Sequence, residues 1–418
     1  MHTPAGTLAR PFYGDTVVRA AFVIAMFGWG VGFYGPPVFL HAVTSRTGWP
    51  LPLVSAAVTL HFLLGAGVVA CLPRIHRKVG IPAATSGGAI VLAVGTFGWA
   101  AAVQPWQLFV AAMFTGAGWV PLGAAGINAI VSPWFVRQRP LALAKAYNGA
   151  SVGGIVFSPL WAALIGQYGF AIASIAVGLA LAGVIGALAR CVLNRTPHSQ
   201  GQVADGGDPS SDAVPAVPAL PGASLAKDRA FVTLSAAMAL GLFAQIGLIA
   251  QLFSLMAPIM GAEMAGWMMA LATACAMTGR LAVAPLLGRQ ADRRQVAAAS
   301  YAIQALGTML LSMSTGTQWQ LIVPGIILFG LGIGNATSLP PLIAQAEFAP
   351  VDVPRVVAHC VALSQALYAF APSAFAALLI QSGQDERLAL GTGTHSYFAG
   401  ILLIHGLAIA CMLAGRRG

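Results

Sequence analysis

The chain has 418 residues, of which 58% are hydrophobic and only 8% charged, and its mean hydropathy is +0.81. A soluble domain carries about 25% charged residues, so this composition excludes a water-facing globular protein and indicates an integral membrane protein. The long apolar stretches make it helical, and the net charge of +10 does not point to nucleic acid, because the Lys and Arg residues lie between apolar runs rather than on one face.

In chain order, the segment "MHTPAGTLARPFYGDTVVR" (1–19) is too polar for a cleaved signal peptide. The apolar run from Ala20 is long enough to remain as a spanning helix. A crossing helix needs about 20 apolar residues, which predicts spans at 18–43, 49–72, 80–103, 106–131, 141–165 and 168–193. The stretch 194–228 is rich in Pro, Gly, Ser and Asp and reads as a linker. A second set of spans follows at 229–257, 263–286, 296–315, 319–344, 354–381 and 395–415. The predicted fold is an all-α membrane protein with twelve transmembrane helices in two six-helix pseudo-symmetric bundles, residues 1–193 and 229–418, joined by the linker 194–228.

Of the 21 Lys and Arg residues, all but Arg46, Lys145, Arg280 and Arg387 fall on one side of this span map. The positive-inside bias then places both termini and the linker in the cytoplasm and the chain in the cell inner membrane. The five cysteines (Cys71, Cys191, Cys275, Cys360 and Cys411) lie within or at the ends of apolar segments and show no CxxC spacing. They indicate neither a disulfide framework nor a metal site.

The halves resemble each other weakly. "GINAIVSPWF" (126–135) matches "GIGNATSLPPL" (332–342), with Asn128 opposite Asn335, and Pro159 answers Pro372. Chance likeness between Gly- and Ala-rich segments is the alternative; the matching helix number favours two parallel repeats, with a substrate site between them near mid-membrane.

The chain resembles the major facilitator superfamily over nearly its whole length. "LLGRQADRR" is similar to that family's G-x-x-x-D-R signature at Gly288, Asp292, Arg293 and Arg294. The equivalent loop "LPRIHRKVG" has Arg77 where an Asp would stand. The resemblance implies that these loops latch the cytoplasmic helix ends when a transporter opens outward. Asp292 would accept hydrogen bonds from a helix N-terminus or from Arg137 or Arg139; a solvated charge cluster is the alternative. Two further segments, 32–60 and "WFVRQRPLALAKAYNGASVGGIVFSPL" (134–160), resemble the monocarboxylate transporter and oxalate/formate antiporter branch. Gln138, Ala144 and Asn148 depart from its pattern, and Lys145 stands where an uncharged residue is usual.

Arg280 is the sharpest signal. It follows sixteen uncharged residues, Met264 to Gly279. A charge inside the hydrocarbon costs about 2.5–3.5 kcal/mol even on a lenient insertion scale, and a guanidinium cannot relieve that cost by losing its proton. It must therefore face the bundle interior or snorkel toward the cytoplasm. None of the 11 acidic residues falls in mid-membrane by the span map, which leaves a substrate anion as its partner. In the resembling branch an arginine at the matching place in helix eight binds the substrate carboxylate, and the resemblance implies that role for Arg280. The resembling oxalate/formate antiporter also uses a lysine in helix eleven for a second carboxylate; the predicted helix eleven here has no Lys or Arg after Arg355, so one net cation favours a monoanion.

Proton transfer falls to His61, His359, His405 or the substrate itself, although a histidine in an apolar helix is otherwise a hydrogen-bonded core residue. Tyr34, Trp119, Tyr147, Asn148, Gln245, Gln251, Asn335, Gln365 and Tyr368 stand near predicted helix centres, as cavity lining or as helix–helix glue. The substrate-binding residues expected are Arg280, Tyr34, His61, Trp119, Tyr147, Gln245, Gln251, Asn335 and Tyr368. Nothing in the sequence supports an enzyme: no nucleotide loop, metal-ligand spacing or Ser-His-acid arrangement occurs. The expected function is secondary active transport of a small organic anion, a monocarboxylate, by alternating access with proton coupling; export of amphipathic compounds such as drugs or siderophores is the second reading. The expected partners are a small carboxylate, protons and the lipid bilayer, with no nucleic acid and no cofactor, and the chain is expected to act as a monomer.

Overall fold

A computed structural model of the chain describes residues 12–206, 225–283, 292–315, 318–349, 352–381, 390 and 394–416. Among these residues the structure is helical, without strands. A first set of helices comprises α1 (Gly14–Gly32), α2 (Gly35–Thr47), α3 (Leu51–Val79), α4 (Ile81–Ala101), α5 (Pro105–Trp119), α6 (Ala124–Val131) and α7 (Arg139–Leu188). A second set comprises α8 (Arg229–Met260), α9 (Ala262–Val283), α10 (Arg293–Met313), α11 (Trp319–Glu347), α12 (Val353–Tyr368), α13 (Ala371–Gln381) and α14 (His395–Ala414). Ten helical stretches among the described residues are long and apolar enough to cross a membrane.

The predicted fifth and sixth spans are the two helical parts of α7, which meet at Gly169, where the backbone leaves the helix with φ of 78°. That left-handed conformation is open to glycine at no steric cost. Three other predicted spans are broken instead of continuous. The first breaks at Phe33–Tyr34, ahead of Pro36 and Pro37; the fourth breaks through the short 3₁₀ turn Val120–Leu122, which contains Pro121; the eleventh breaks before Pro372. Proline removes an N–H, and its ring clashes with the carbonyl four residues back. In a bilayer such freed backbone survives only where protein covers it or a cavity meets it. The breaks therefore mark the interior of the molecule.

Within the first set α1 packs on α7, and α4 packs on α5 and α7. Within the second, α10 packs on α11 and α14, and α8 packs on α12 and α14. Arg229 donates to the Ala414 carbonyl at 2.6 Å and Arg416 pairs with Asp292, which brings the Ala414 end of α14 beside the starts of α8 and α10 on the termini face. The two sets meet toward the opposite face. There Gln251 Nε2 of α8 donates to Ser55 Oγ of α3 at 3.1 Å and to the Pro372 carbonyl at 3.2 Å. The Thr59 and Ser373 hydroxyls pair at 2.7 Å, and the His41 and Phe253 rings lie 5.4 Å apart. On the termini face the charged groups pair within their own set: Arg294 with Glu347, and Arg416 with Asp292. The structure is closed on the face away from the termini.

Candidate functional site

Arg280 stands one turn before Val283, the last described residue of α9, and its depth is set by its partner. Its Nε donates to the carbonyl of Gly334 at 3.3 Å, near the midpoint of α11. A glycine is needed there, because a Cβ at 334 would run into the Ala276 carbonyl and press on Arg280 Cβ at 3.3 Å. With Nε spent on the backbone, the two terminal NH₂ groups remain to grip an anion, the geometry in which a guanidinium holds a carboxylate bidentately. No carboxylate among the described residues forms an ion pair with Arg280.

Tyr34, at the break between α1 and α2, faces Thr273 of α9 and lies within electrostatic reach of Arg280. This approach depends on Gly154 of α7, where a Cβ would sit 2.6 Å from Thr273 Cγ2 and 2.7 Å from Tyr34 Cε2. From Tyr34 an aromatic wall runs across the molecule. Phe33 lies 5.1 Å from Tyr34 by ring centroids, 6.0 Å from Phe62 and 6.2 Å from Trp119. Trp119 meets Trp29 at 6.2 Å, and Trp29 meets Tyr147 at 6.2 Å. Phe62 of α3 reaches Tyr368 of α12 at 5.9 Å, so both sets contribute. Trp29, Phe33, Tyr34, Tyr147 and Tyr368 are half-buried and leave ring surface open.

The remaining expected ligands lie behind or beside this wall. His61 is fully buried and stacked on Trp119, with centroids 5.7 Å apart and planes at 23°. Its Nδ1 meets Thr115 Oγ1 at 2.9 Å, and Trp99 Nε1 donates to the same oxygen at 3.3 Å. This arrangement makes His61 a support for Trp119. Gln251 spends its amide on the contact between the sets described above. Gln245 is buried, with Oε1 unpartnered. Asn335 follows the carbonyl that holds Arg280 and donates from Nδ2 to Leu331 O at 3.4 Å. Of the other histidines, His405 is fully buried on the Ile401 carbonyl at 3.1 Å, and His359 is exposed on the Arg355 carbonyl at 2.7 Å.

The expected gating residues sit on the termini face, except that Gly288 lies outside the described residues. Asp292 caps α10, accepting from the N–H groups of Arg294 at 3.0 Å and Gln295 at 3.1 Å. It also takes Arg416 Nε at 2.6 Å. Partial desolvation works to raise the Asp292 carboxyl, but these hydrogen bonds and the Arg416 charge outweigh it and hold it below the usual carboxylate range. Arg293 donates to the Leu342 carbonyl. Arg137 and Arg139 do not meet Asp292 in this conformation. Arg139 donates to the Ser132 carbonyl at 3.3 Å, and the Arg137 N–H donates to the linker carboxylate of Asp205 at 2.7 Å. Asp205 also accepts from Val136 and Gln138, so the first part of the linker is pinned under the first set of helices.

The described residues form a helical chain with broken inner helices, and comparison with known families decides its kind. The Major Facilitator Superfamily matches residues 21–372. The chain belongs to this superfamily. Members of the major facilitator superfamily are transporters, not enzymes, and the chain is a transporter of that fold. Solved structures with the same fold include the nucleoside transporter NupG, with a TM-score of 0.72 at 13% identity over 97% of this chain and 100% of that one. A bacterial homologue of the human lysosomal transporter Spinster, inward-facing and occupied, matches with a TM-score of 0.65 at 14% identity over 96% of this chain and 95% of that one. No curated protein sequence matches the chain.

For this major facilitator, sequence reasoning did not single out Trp29, Phe33, Phe62, Thr273 and Gly334, which the structure places around the candidate site. Trp29 and Phe33 were legible as an i, i+4 pair on one helix face. Phe62 stands next to His61 and carried no signal of its own.

Proposed function

We propose that the protein is a secondary active transporter that moves a small organic monoanion, a monocarboxylate, by alternating access. One observation carries this reading: Arg280, at mid-depth, has both terminal NH₂ groups free of any carboxylate among the described residues. Arg280 is half-buried, and a partly desolvated cation without a counter-ion is costly; a bound carboxylate supplies the missing charge. Counting α7 as two spans at Gly169 and adding α9 to the ten apolar stretches gives twelve spans. They fall into bundles at 1–193 and 229–418 around the linker 194–228. The positive-inside bias puts both termini in the cytoplasm of the cell inner membrane, and the face closed in this structure is then the outer one. The superfamily resemblance extends the reading to proton coupling, with the substrate carboxyl carrying the proton.

Uptake into proteoliposomes tests it. Radiolabelled monocarboxylates accumulate when the outside is made acidic, and Arg280→Gln removes the accumulation. Uptake that proceeds equally in the variant overturns the anion reading. Uptake indifferent to the pH gradient overturns the proton coupling.

A further inference from the structure

We propose that the transported monoanion has a planar aromatic body, a benzoate-like carboxylate, rather than a short aliphatic one. This proposal rests on the reading of Arg280 as carboxylate ligand. The Tyr34–Phe33–Trp119–Trp29–Tyr147 array and the Phe62–Tyr368 contact place ring faces and edges on both sides of the plane between the two sets of helices. The wall begins at Tyr34, the residue that faces Thr273 beside Arg280. A ligand held by its carboxylate at Arg280 therefore has aromatic surface in front of its body.

Two polar groups of this wall are withdrawn from a ligand. The Tyr147 hydroxyl donates to the Ala124 carbonyl at 3.0 Å, and Trp119 Nε1 is buried away from any opening. Thr115, behind the wall, is engaged by His61 and Trp99. A sugar-like or polyhydroxy body would lose its water here and find few partners, a loss that outweighs the gain from contact. A ring presents its edge or face to each of these aromatics in the offset and T-shaped arrangements they already use among themselves. An uncharged nucleoside would stack but leave Arg280 uncompensated. The pairing of one cation with an aromatic wall selects an aromatic monoanion.

Purified protein is titrated with benzoate, lactate and uridine, with binding read by thermal shift and by isothermal calorimetry. The expected result is benzoate binding roughly tenfold or more tighter than lactate, from one or two ring contacts, with uridine weakest. Phe33→Leu and Tyr368→Leu each weaken benzoate binding by a larger factor than lactate binding, so that the benzoate–lactate gap narrows. Lactate binding as tightly as benzoate, with both lost in Arg280→Gln, overturns the aromatic body and leaves the monocarboxylate reading standing. Binding of neither acid, or benzoate binding unchanged in Arg280→Gln, overturns the carboxylate reading beneath it. Uridine binding tighter than both acids overturns both.

Discussion

Two charged residues of this chain meet opposite fates. Arg294 is 2% exposed, yet every N–H of its guanidinium has an acceptor: both Glu347 oxygens, the Ala230 and Met412 carbonyls and the Thr233 hydroxyl. Arg280 has one backbone carbonyl. A fully satisfied buried arginine holds structure together, whereas a partly satisfied one keeps donors open, which is the basis of the proposed ligand role. Composition and the span map were enough to single out Arg280, because a long uncharged run makes any charge conspicuous. They did not distinguish its surroundings from those of Arg294, since the Arg280 acceptor is a backbone carbonyl with no sequence signature and the Arg294 partner Glu347 lies far along the chain. Asp292 supplies a pH prediction at the same scale. Its carboxyl is held below the ordinary value, so the stabilisation it gives is present above the unfolded-state pKa of about 4. That stabilisation is lost as pH falls through the lower folded-state value. Melting curves from pH 6 down to pH 3 will therefore show a decline that Asp292→Asn reduces, with the variant already less stable at pH 6. Parallel curves for the two proteins contradict this role.

At the scale of helices, the prolines that break three predicted spans also place the wall. Tyr34 and Phe33 stand at one break, Trp119 beside the second and Tyr368 beside the third. Hydropathy showed these spans as continuous because a broken helix stays as apolar as a whole one. Pro36, Pro37, Pro121 and Pro372 were visible, but which side chains a break presents depends on packing between helices. Gly154 tests that packing. In Gly154→Val the added atoms collide with Thr273 and Tyr34 and push α7 from α9, at a cost of about 1–3 kcal/mol for overpacking. Substrate binding should weaken with the melting temperature, and unchanged binding would show that the α7–α9 approach does not shape the site. The Arg294–Glu347 pair, tying α10 to α8, α11 and α14, gives a stability test. Glu347→Ala strands a buried guanidinium and should destabilise the protein by about 3–5 kcal/mol, read as a large fall in melting temperature in detergent. A small fall would mean that the three remaining acceptors suffice.

Over the whole molecule, alternating access requires that one face open as the other closes. The closed face is held by uncharged hydrogen bonds, Gln251 to Ser55 and Thr59 to Ser373. On the termini face Asp292, expected to latch, pairs with Arg416, and the 136–138 backbone donates to Asp205. Gln251→Leu removes one cross-set hydrogen bond worth about 0.5–1.5 kcal/mol and should shift the population toward opening of the closed face. Spin labels across that face will show a larger long-distance fraction; an unchanged distribution would make Gln251 a core residue only. The all-helical class and the apolar spans were legible from the sequence because hydropathy reports length and polarity directly. The conformational state was not, since the same sequence must fold into both. The central claim is that the Arg280 guanidinium grips a carboxylate, and a crossed binding measurement tests it most directly: wild type and Arg280→Gln, each titrated with benzoate and with benzamide. The account predicts that wild type strongly prefers the acid to the amide and that the variant loses this preference while retaining benzamide binding. An equal preference for the acid in both proteins would contradict it.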